Sequence, residues 1–327
     1  MTLLVIVIAL GLSVDFTNGF HDTANYVATW VGTRALSPRV AVLVSAGANL
    51  AGAFVTTAVA TTVGKGIIDT GLATEQTVLA ALLGAIAWNL VTWWKGLPSS
   101  STHALIGGLA GAALVQSGAQ GVRWHGIWEK VIVPGAASPV IGFVAAFALL
   151  VLIYRLFQRL TPGVAHRSFR LGQLASGTWV AFTHGANDAQ KTMGVIALAL
   201  FTHGSISSFY IPTWVKLAAG LTIGAGTYAG GWRIIRTLGQ RIYKLQPEHG
   251  FAAQIAAGST LYAGTRFGFP ISTTHVVTGS VMGAGATRRF SAVRWGVAGN
   301  IVVAWLLTLP GAGLVAGAFY YPVRWIF

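Results

Sequence analysis

Long apolar stretches follow one another from one end of the chain to the other, and no other feature constrains its fold as strongly. A helix that crosses a bilayer needs about 20 mostly apolar residues. Ten segments of that kind can be marked, at 2–30, 39–63, 76–94, 97–118, 131–154, 171–201, 211–232, 251–265, 270–287 and 295–321. In a chain of 327 residues they leave only short connections and no room for a sizeable soluble domain. Composition agrees, since 9% of the residues are charged against about a quarter in an ordinary soluble domain. The chain is therefore read as an all-α polytopic membrane protein. Met1 to Leu12 are similar to the apolar part of a signal peptide, but no basic residue precedes them and no cleavage pattern follows, so they belong to the first helix. The sequence has no cysteine, which excludes disulfides, thiolate metal sites and cysteine nucleophiles.

A formal net charge of +14 would suggest nucleic acid in a soluble protein. Here the positions of the charges matter more than their sum, and no nucleic-acid partner is expected. If successive segments return the chain to alternate faces, Arg34, Arg39, Lys95, Arg155, Arg159, Arg167, Arg170, Arg233, Arg236, Arg241, Lys244, Arg288, Arg289 and Arg294 fall on one side. Lys65, Arg123, Lys130, Lys216, Arg266 and Arg324 fall on the other. The positive-inside rule makes the richer side cytoplasmic and sends both termini outward.

The chain is also written twice. Phe16-Thr-Asn-Gly-Phe-His-Asp22-Thr-Ala-Asn25 aligns without gaps on Phe182-Thr-His-Gly-Ala-Asn-Asp188-Ala-Gln-Lys191, an offset of 166 residues. Gly96-Leu-Pro-Ser-Ser-Ser-Thr-His103 aligns on Gly268-Phe-Pro-Ile-Ser-Thr-Thr-His275 at an offset of 172, and Gly107 and Gly111 continue the match to Gly279 and Gly283. Two blocks in the same order imply a duplicated unit of five segments, residues 1–163 and 164–327. An odd number of crossings turns the second unit over. The result is an inverted repeat, an architecture of secondary transporters whose substrate site lies near the midplane where the halves meet. Asn18-Gly19 and His184-Gly185 sit inside segments too long for one simple span, and they predict broken helices. The Pro-Ser/Thr blocks predict the turns of two re-entrant hairpins, one from each face, because irregular backbone is tolerated at membrane depth only inside protein or beside a wet cavity.

Three acids lie within apolar segments, Asp15, Asp22 and Asp188. A carboxylate there costs about 2.5–3.5 kcal/mol on insertion scales, which argues for a task. Asp22 and Asp188 are matched by the repeat and suit a coupling-ion site; the competing structural role is to cap a following half-helix. Asp15 has Ala181 as its counterpart, and its role stays open. Ser100, Ser101 and Thr102 in one half, and Ser272, Thr273 and Thr274 in the other, would put hydroxyls and free N–H groups at the positive ends of two helices. Such a pair of ends suits a small anion with many oxygens. N-capping and helix packing are the plainer roles for these residues. His21, beside Asp22, is suited to carry a transported proton, whereas His103 and His275 read as hydrogen-bonded packing groups. Lys191 either pairs with Asp188 or contacts the anion. A serine nucleophile at Ser99 with His103 as base lacks an oxyanion or G-x-S-x-G signature, so an enzyme is not expected.

Two buried carboxylates and a dianion repel one another in a low dielectric unless protons or cations accompany them. Coupled symport follows from that balance. A channel for anions is disfavoured because acids in its pore would oppose its own cargo.

Gly19-Phe-His-Asp-Thr-Ala-Asn25 with Ala28-Thr29 and Thr33-Arg34-Ala35-Leu36, Gly185-Ala-Asn-Asp-Ala-Gln-Lys191 and the two Pro-x-Ser-Ser/Thr-Thr-His blocks together resemble the inorganic phosphate transporter (PiT) family over nearly the whole chain. The resemblance implies phosphate uptake driven by a cation gradient, with no resident cofactor and no fixed structural metal. It assigns Asn25, Asn187 and the hairpin Ser/Thr residues to the substrate and Asp22 and Asp188 to the coupling ion, with Asn49 and Asn300 as further polar groups for an ion site. The His-Asp form of the first motif, with Gln190-Lys191 in the second, is similar to the bacterial low-affinity branch. That branch implies proton coupling in an inner membrane and phosphate carried with a divalent metal; sodium-coupled phosphate or sulfate symport is the alternative. A homo-oligomer is left open.

Overall fold

The computed structural model describes residues 1–230 and 246–327. Arg233, Arg236, Arg241 and Lys244 of the charge tally, and the end of the 211–232 segment, lie outside the described residues. The elements are α1 (Thr2–Gly32), α2 (Pro38–Gly52), α3 (Ala58–Gly66), α4 (Glu75–Trp94), α5 (Ser101–Ser117), α6 (Trp124–Leu156), α7 (Pro162–Thr202), α8 (Thr213–Ala229), α9 (Pro247–Arg266), α10 (Thr273–Ala286) and α11 (Trp295–Ile326). Where it is described, every apolar segment of the sequence is mostly helix, and no strand occurs among the described residues. Four of the described helices, α1, α4, α6 and α11, are long and apolar enough to cross a membrane. Their outward faces carry apolar side chains such as Leu306 and Leu314, and Trp94, Trp124, Trp295 and Trp325 are exposed near helix ends, as at a membrane interface.

The helices expected to break do not. α1 and α7 run without interruption through Asn18-Gly19 and His184-Gly185. The glycines serve close approach instead: a Cβ at Gly19 would come within 2.5 Å of the Ile223 carbonyl oxygen on α8, and one at Gly185 would strike the backbone at Asn49 on α2. Small residues admit such contacts between membrane helices, where packing rather than apolar burial drives association. The interruption falls elsewhere, between α2 and α3 at residues 53–57, inside the segment read as 39–63.

The two hairpins follow from local chemistry repeated position by position. Gly96 and Gly268 end α4 and α9 in the left-handed region, at φ 65° and 72°, which costs glycine nothing. Leu97 N–H then bonds Thr92 O at 2.9 Å, and Phe269 N–H bonds Gly264 O at 2.8 Å. Proline follows in both turns, where no further helical N–H is required. Ser100 Oγ accepts from His103 N–H at 3.1 Å and Ser272 Oγ from His275 N–H at 3.4 Å, so each serine caps the returning arm. At the open end of the first hairpin Thr74 and Thr77 form a reciprocal cap, and Gln116 bonds both Thr77 and Leu72 O. Both arms therefore start and finish on one side, with Pro98, Ser99 and Ser100 buried at the far turn.

Neighbours are exchanged between corresponding elements. α1 packs on α8 and α7 on α2, while α5 packs on α11 and α10 on α6. Gly107 and Gly111 meet the backbone of α11 at Leu309 and Gly313, and Gly279 and Gly283 meet that of α6 at Pro139 and Phe143, with no room for a Cβ at any of the four. One apolar cluster gathers around the first half of α1 with α3–α5, and a second around Tyr26 and Trp30 with α2, α9 and α10. The polar stretches Thr17–Asn25 and Thr183–Thr192 lie between them, buried.

Candidate functional site

Asn18, Asp22 and Asn25 recur at four- and three-residue spacing along α1, as do His184, Asp188 and Lys191 along α7, so each set shares one helix face. The structure turns these faces toward each other and toward both hairpin tips. Asp22 and Asp188 are 2% and 0% exposed. His184 stands between them, its Nε2 3.8 Å from Asp22 Oδ2 and 3.5 Å from Asp188 Oδ2. The other ring nitrogen, Nδ1, is 2.7 Å from Asn49 Oδ1. Asn49 in turn donates to Tyr26 OH at 3.0 Å and to Thr227 Oγ1 at 3.1 Å, which holds its amide and, through it, the imidazole.

Each carboxylate has a cationic or ionisable partner from its own helix. Asp22 Oδ1 lies 2.8 Å from His21 Nδ1, and Asp188 Oδ2 lies 2.6 Å from Lys191 Nζ. Asn18 crosses between the motifs, donating through Nδ2 to Asp188 Oδ2 at 3.0 Å. The hairpins complete the cluster in matched fashion. Ser101 Oγ is 2.6 Å from Asn18 Oδ1 and 3.3 Å from Asp22 Oδ2, and Thr273 Oγ1 donates to Asp188 Oδ1 at 3.3 Å. Asn25 Nδ2 donates to Thr274 Oγ1 at 3.1 Å, and Lys191 Nζ donates to Thr102 Oγ1. The two turns touch directly, with Thr102 Oγ1 3.4 Å from Ile271 O.

Of the residues the sequence singled out, Asp22, Asn25, Ser101, Thr102, Asp188, Lys191, Thr273 and Thr274 thus meet in one buried cluster. Ser100 and Ser272 cap the arms at its edge. Asn49 supports it from behind through His184. Asn187 turns aside, its Nδ2 bonded to Thr265 Oγ1 at 3.0 Å and Phe269 O at 3.1 Å, next to the second hairpin. Asn300 does not join the cluster; it is exposed on α11, because that face of the helix looks outward. His103 and His275 pack edge to face across the contact of α5 and α10, ring centroids 4.8 Å apart, and His275 stacks on Trp305 at 3.9 Å. Asp15 is buried beside Thr192, and among the described residues neither carboxylate oxygen has a partner at good hydrogen-bond geometry. Asn18 and His184 escaped the site assignment although they are matched in the repeat, one helical turn before each aspartate.

This arrangement has two chemical capacities. One oxygen each of Asp22 and Asp188 and a ring nitrogen of His184 lie within 4.8 Å of one another, close enough to hold a small cation. The free N–H groups opening α5 and α10, with the hydroxyls of Ser101, Thr102, Thr273 and Thr274, are donors suited to anion oxygens. Ionisable groups enclosed among membrane-length helices, with anion donors beside a cation site, define a membrane transport protein.

Comparison with known proteins makes the class specific. The model of the phosphate transporter family matches residues 18–316. A relative from Rhizobium meliloti named "Probable low-affinity inorganic phosphate transporter" is 50% identical over 98% of this chain and 96% of its own length. Relatives of the same name from Bacillus subtilis (41% identical, 100% of this chain and 98% of the relative) and Mycobacterium tuberculosis H37Rv (49% identical, 98% of this chain and 77% of the relative) agree. A solved structure described as "The sodium-dependent phosphate transporter" superposes with a TM-score of 0.92 at 27% identity, covering all of both chains. The chain belongs to the phosphate transporter family. Its relatives are named as transporters and not as enzymes, in keeping with the reading of the sequence.

Proposed function

We propose that the protein is a secondary active symporter that imports inorganic phosphate together with protons by alternating access. The observation that carries this reading is the meeting of Asp22 and Asp188, through His184, under the two hairpin tips. Carboxylates at this depth repel an arriving phosphate unless cations come with it, and the hairpin donors give the anion a reason to bind there. Asn25, Ser100, Ser101, Thr102, Ser272, Thr273 and Thr274 form the substrate side, and Asn187, bonded to Thr265 and Phe269, does not support the substrate role expected of it. Asp22, Asp188 and His21 form the coupling side, with Asn49 behind them. The position of Asn300 does not support the ion-site role considered for it.

Residues 1–163 and 164–327 act as two halves of an inverted repeat that rock about this site. The matched hairpin turns and the exchange of packing partners support that division. The protein lies in a bacterial-type inner membrane with both termini outside. The triad of Asp22, His184 and Asp188 also suits a divalent metal travelling with phosphate as cargo.

Sodium coupling is the second reading, favoured by the likeness to a structure described as sodium-dependent. Purified protein in liposomes separates the two. Labelled phosphate should accumulate under an inward proton gradient with sodium absent, and accumulation that begins only on adding sodium would overturn proton coupling.

A further inference from the structure

Asn25 and Lys191 close the two matched motifs at equivalent positions. Each reaches a hairpin through an equivalent bond, Asn25 Nδ2 to Thr274 Oγ1 at 3.1 Å and Lys191 Nζ to Thr102 Oγ1. The correspondence extends one residue further, since Ser101 lies 3.3 Å from Asp22 and its counterpart Thr273 lies 3.3 Å from Asp188. The pairs differ in charge. Asn25 is neutral, whereas Lys191 sits 2.6 Å from Asp188 Oδ2 and is 3% exposed.

Among the described residues, the charged and titratable groups around this ammonium are few. α7 contributes His184 and Asp188, and α1 contributes Asp15, with Asp22 and its partner His21 beyond. α5 contributes His103 and the hydroxyl of Thr102, and α10 the hydroxyl of Thr273. An ammonium held between a carboxylate oxygen and a hydroxyl oxygen occupies the kind of oxygen-lined position that hard cations select. It cannot leave, being covalently part of the chain. Among the described residues Asp22 has no such fixed partner: its neighbours are the imidazoles of His21 and His184.

We propose, building on the reading of this chain as a phosphate symporter, that Lys191 is a tethered cation. Its ammonium fills the position between Asp188 and the first hairpin that a dissolved alkali cation would otherwise take. The chain itself neutralises this half of the site, so phosphate uptake needs no sodium, and only the Asp22 half must be matched by charge from solution. A neutral amide at both equivalent positions would leave that cation to be drawn from outside; here one of the two positions carries a built-in charge.

The test is phosphate uptake into liposomes holding the full-length protein, with sodium present in one arm and replaced by choline in the other. The wild type should take up phosphate equally in both. Lys191→Asn, which installs the residue carried at position 25, should lose about tenfold or more of its uptake in choline, since removing one member of a buried ion pair leaves an uncompensated charge, and should recover in sodium. A Lys191→Asn protein indifferent to sodium, whether active or silent, overturns the proposal. Lys191→Arg keeps the charge and should stay indifferent to sodium at whatever rate it retains; a sodium requirement there also counts against it. A measurement independent of how the variants fold is the melting temperature of the wild type, which should not rise when sodium replaces choline. A sodium-stabilised wild type would mean that Lys191 leaves a vacant alkali-cation site. A wild type that transports no phosphate in either arm removes the symport reading and the proposal with it, an outcome distinct from every sodium effect.

Discussion

Single side chains decide how charge is balanced at the centre of this protein. Asp22 and Asp188 are buried, and each is held by several donors rather than by one. Replacing either by Asn keeps the size and removes the charge. Breaking a buried, hydrogen-bonded pair costs about 3–5 kcal/mol, so concentrative uptake of labelled phosphate by Asp22→Asn or Asp188→Asn should fall roughly a hundredfold or more. Unchanged accumulation in both variants would remove these acids from the coupling mechanism. Asn18 provides a subtler test. Its amide joins Asp188 to Ser101 across the two motifs, and Asn18→Leu would leave a buried carboxylate and a hydroxyl short of partners, at about 1–3 kcal/mol each. The expected result is slower uptake and a lower melting temperature in detergent, measured on the same preparation; an unaltered melting temperature would argue that the amide carries no structural weight.

At the scale of elements, the informative residues are glycines, which do two different jobs. Gly96 and Gly268 adopt φ values of 65° and 72° at the hairpin turns, and an alanine there costs about 1 kcal/mol or more. Gly107, Gly111, Gly279 and Gly283 instead let the returning arms lie against α11 and α6. Overpacking a tight contact costs about 1–3 kcal/mol, so Gly107→Leu should lower the melting temperature in detergent more than Gly296→Leu, whose Cβ would meet nothing within 4 Å. Equal effects of the two substitutions would contradict the packing described for α5. The same double meaning explains why the expected helix breaks do not occur. A glycine inside a long apolar segment signals either an interruption or a close neighbour, and at Gly19 and Gly185 the neighbours are α8 and α2, which are far off in sequence.

For the whole molecule, the open question is orientation, and the absence of cysteine makes it accessible. Ser207, in the loop after α7, and Ser168, near the start of α7, are both exposed and lie at opposite ends of that helix. The charge asymmetry predicts Ser207 outside and Ser168 in the cytoplasm. Single-cysteine variants at these positions should differ in intact cells, with a membrane-impermeant maleimide labelling Ser207→Cys and sparing Ser168→Cys. The reverse pattern would invert the topology. Ion pairs and hydrogen bonds agree that connections on one face belong together: Arg123 pairs with Asp69 at 3.1 Å, and His203 bonds Glu75.

Much of this protein was legible from its residues. Apolar length gave the all-helical membrane character, because a bilayer admits few alternatives. Duplication singled out Asp22 and Asp188 and the two Ser/Thr turns, because the same local chemistry was needed twice and local chemistry is written in adjacent residues. Tertiary structure decided the rest. The bonds of Asn18 to Asp188, of His184 to Asn49 and of Tyr26 to Thr227 join residues more than a hundred positions apart, and no spacing along the chain encodes them. It also decided that Asn49 faces the centre while Asn300 faces outward, and that Lys191 is bonded to both Asp188 and Thr102. Sequence sets what each helix can offer; which faces meet depends on how closely the backbones approach, and that distance is fixed only when all the helices have packed.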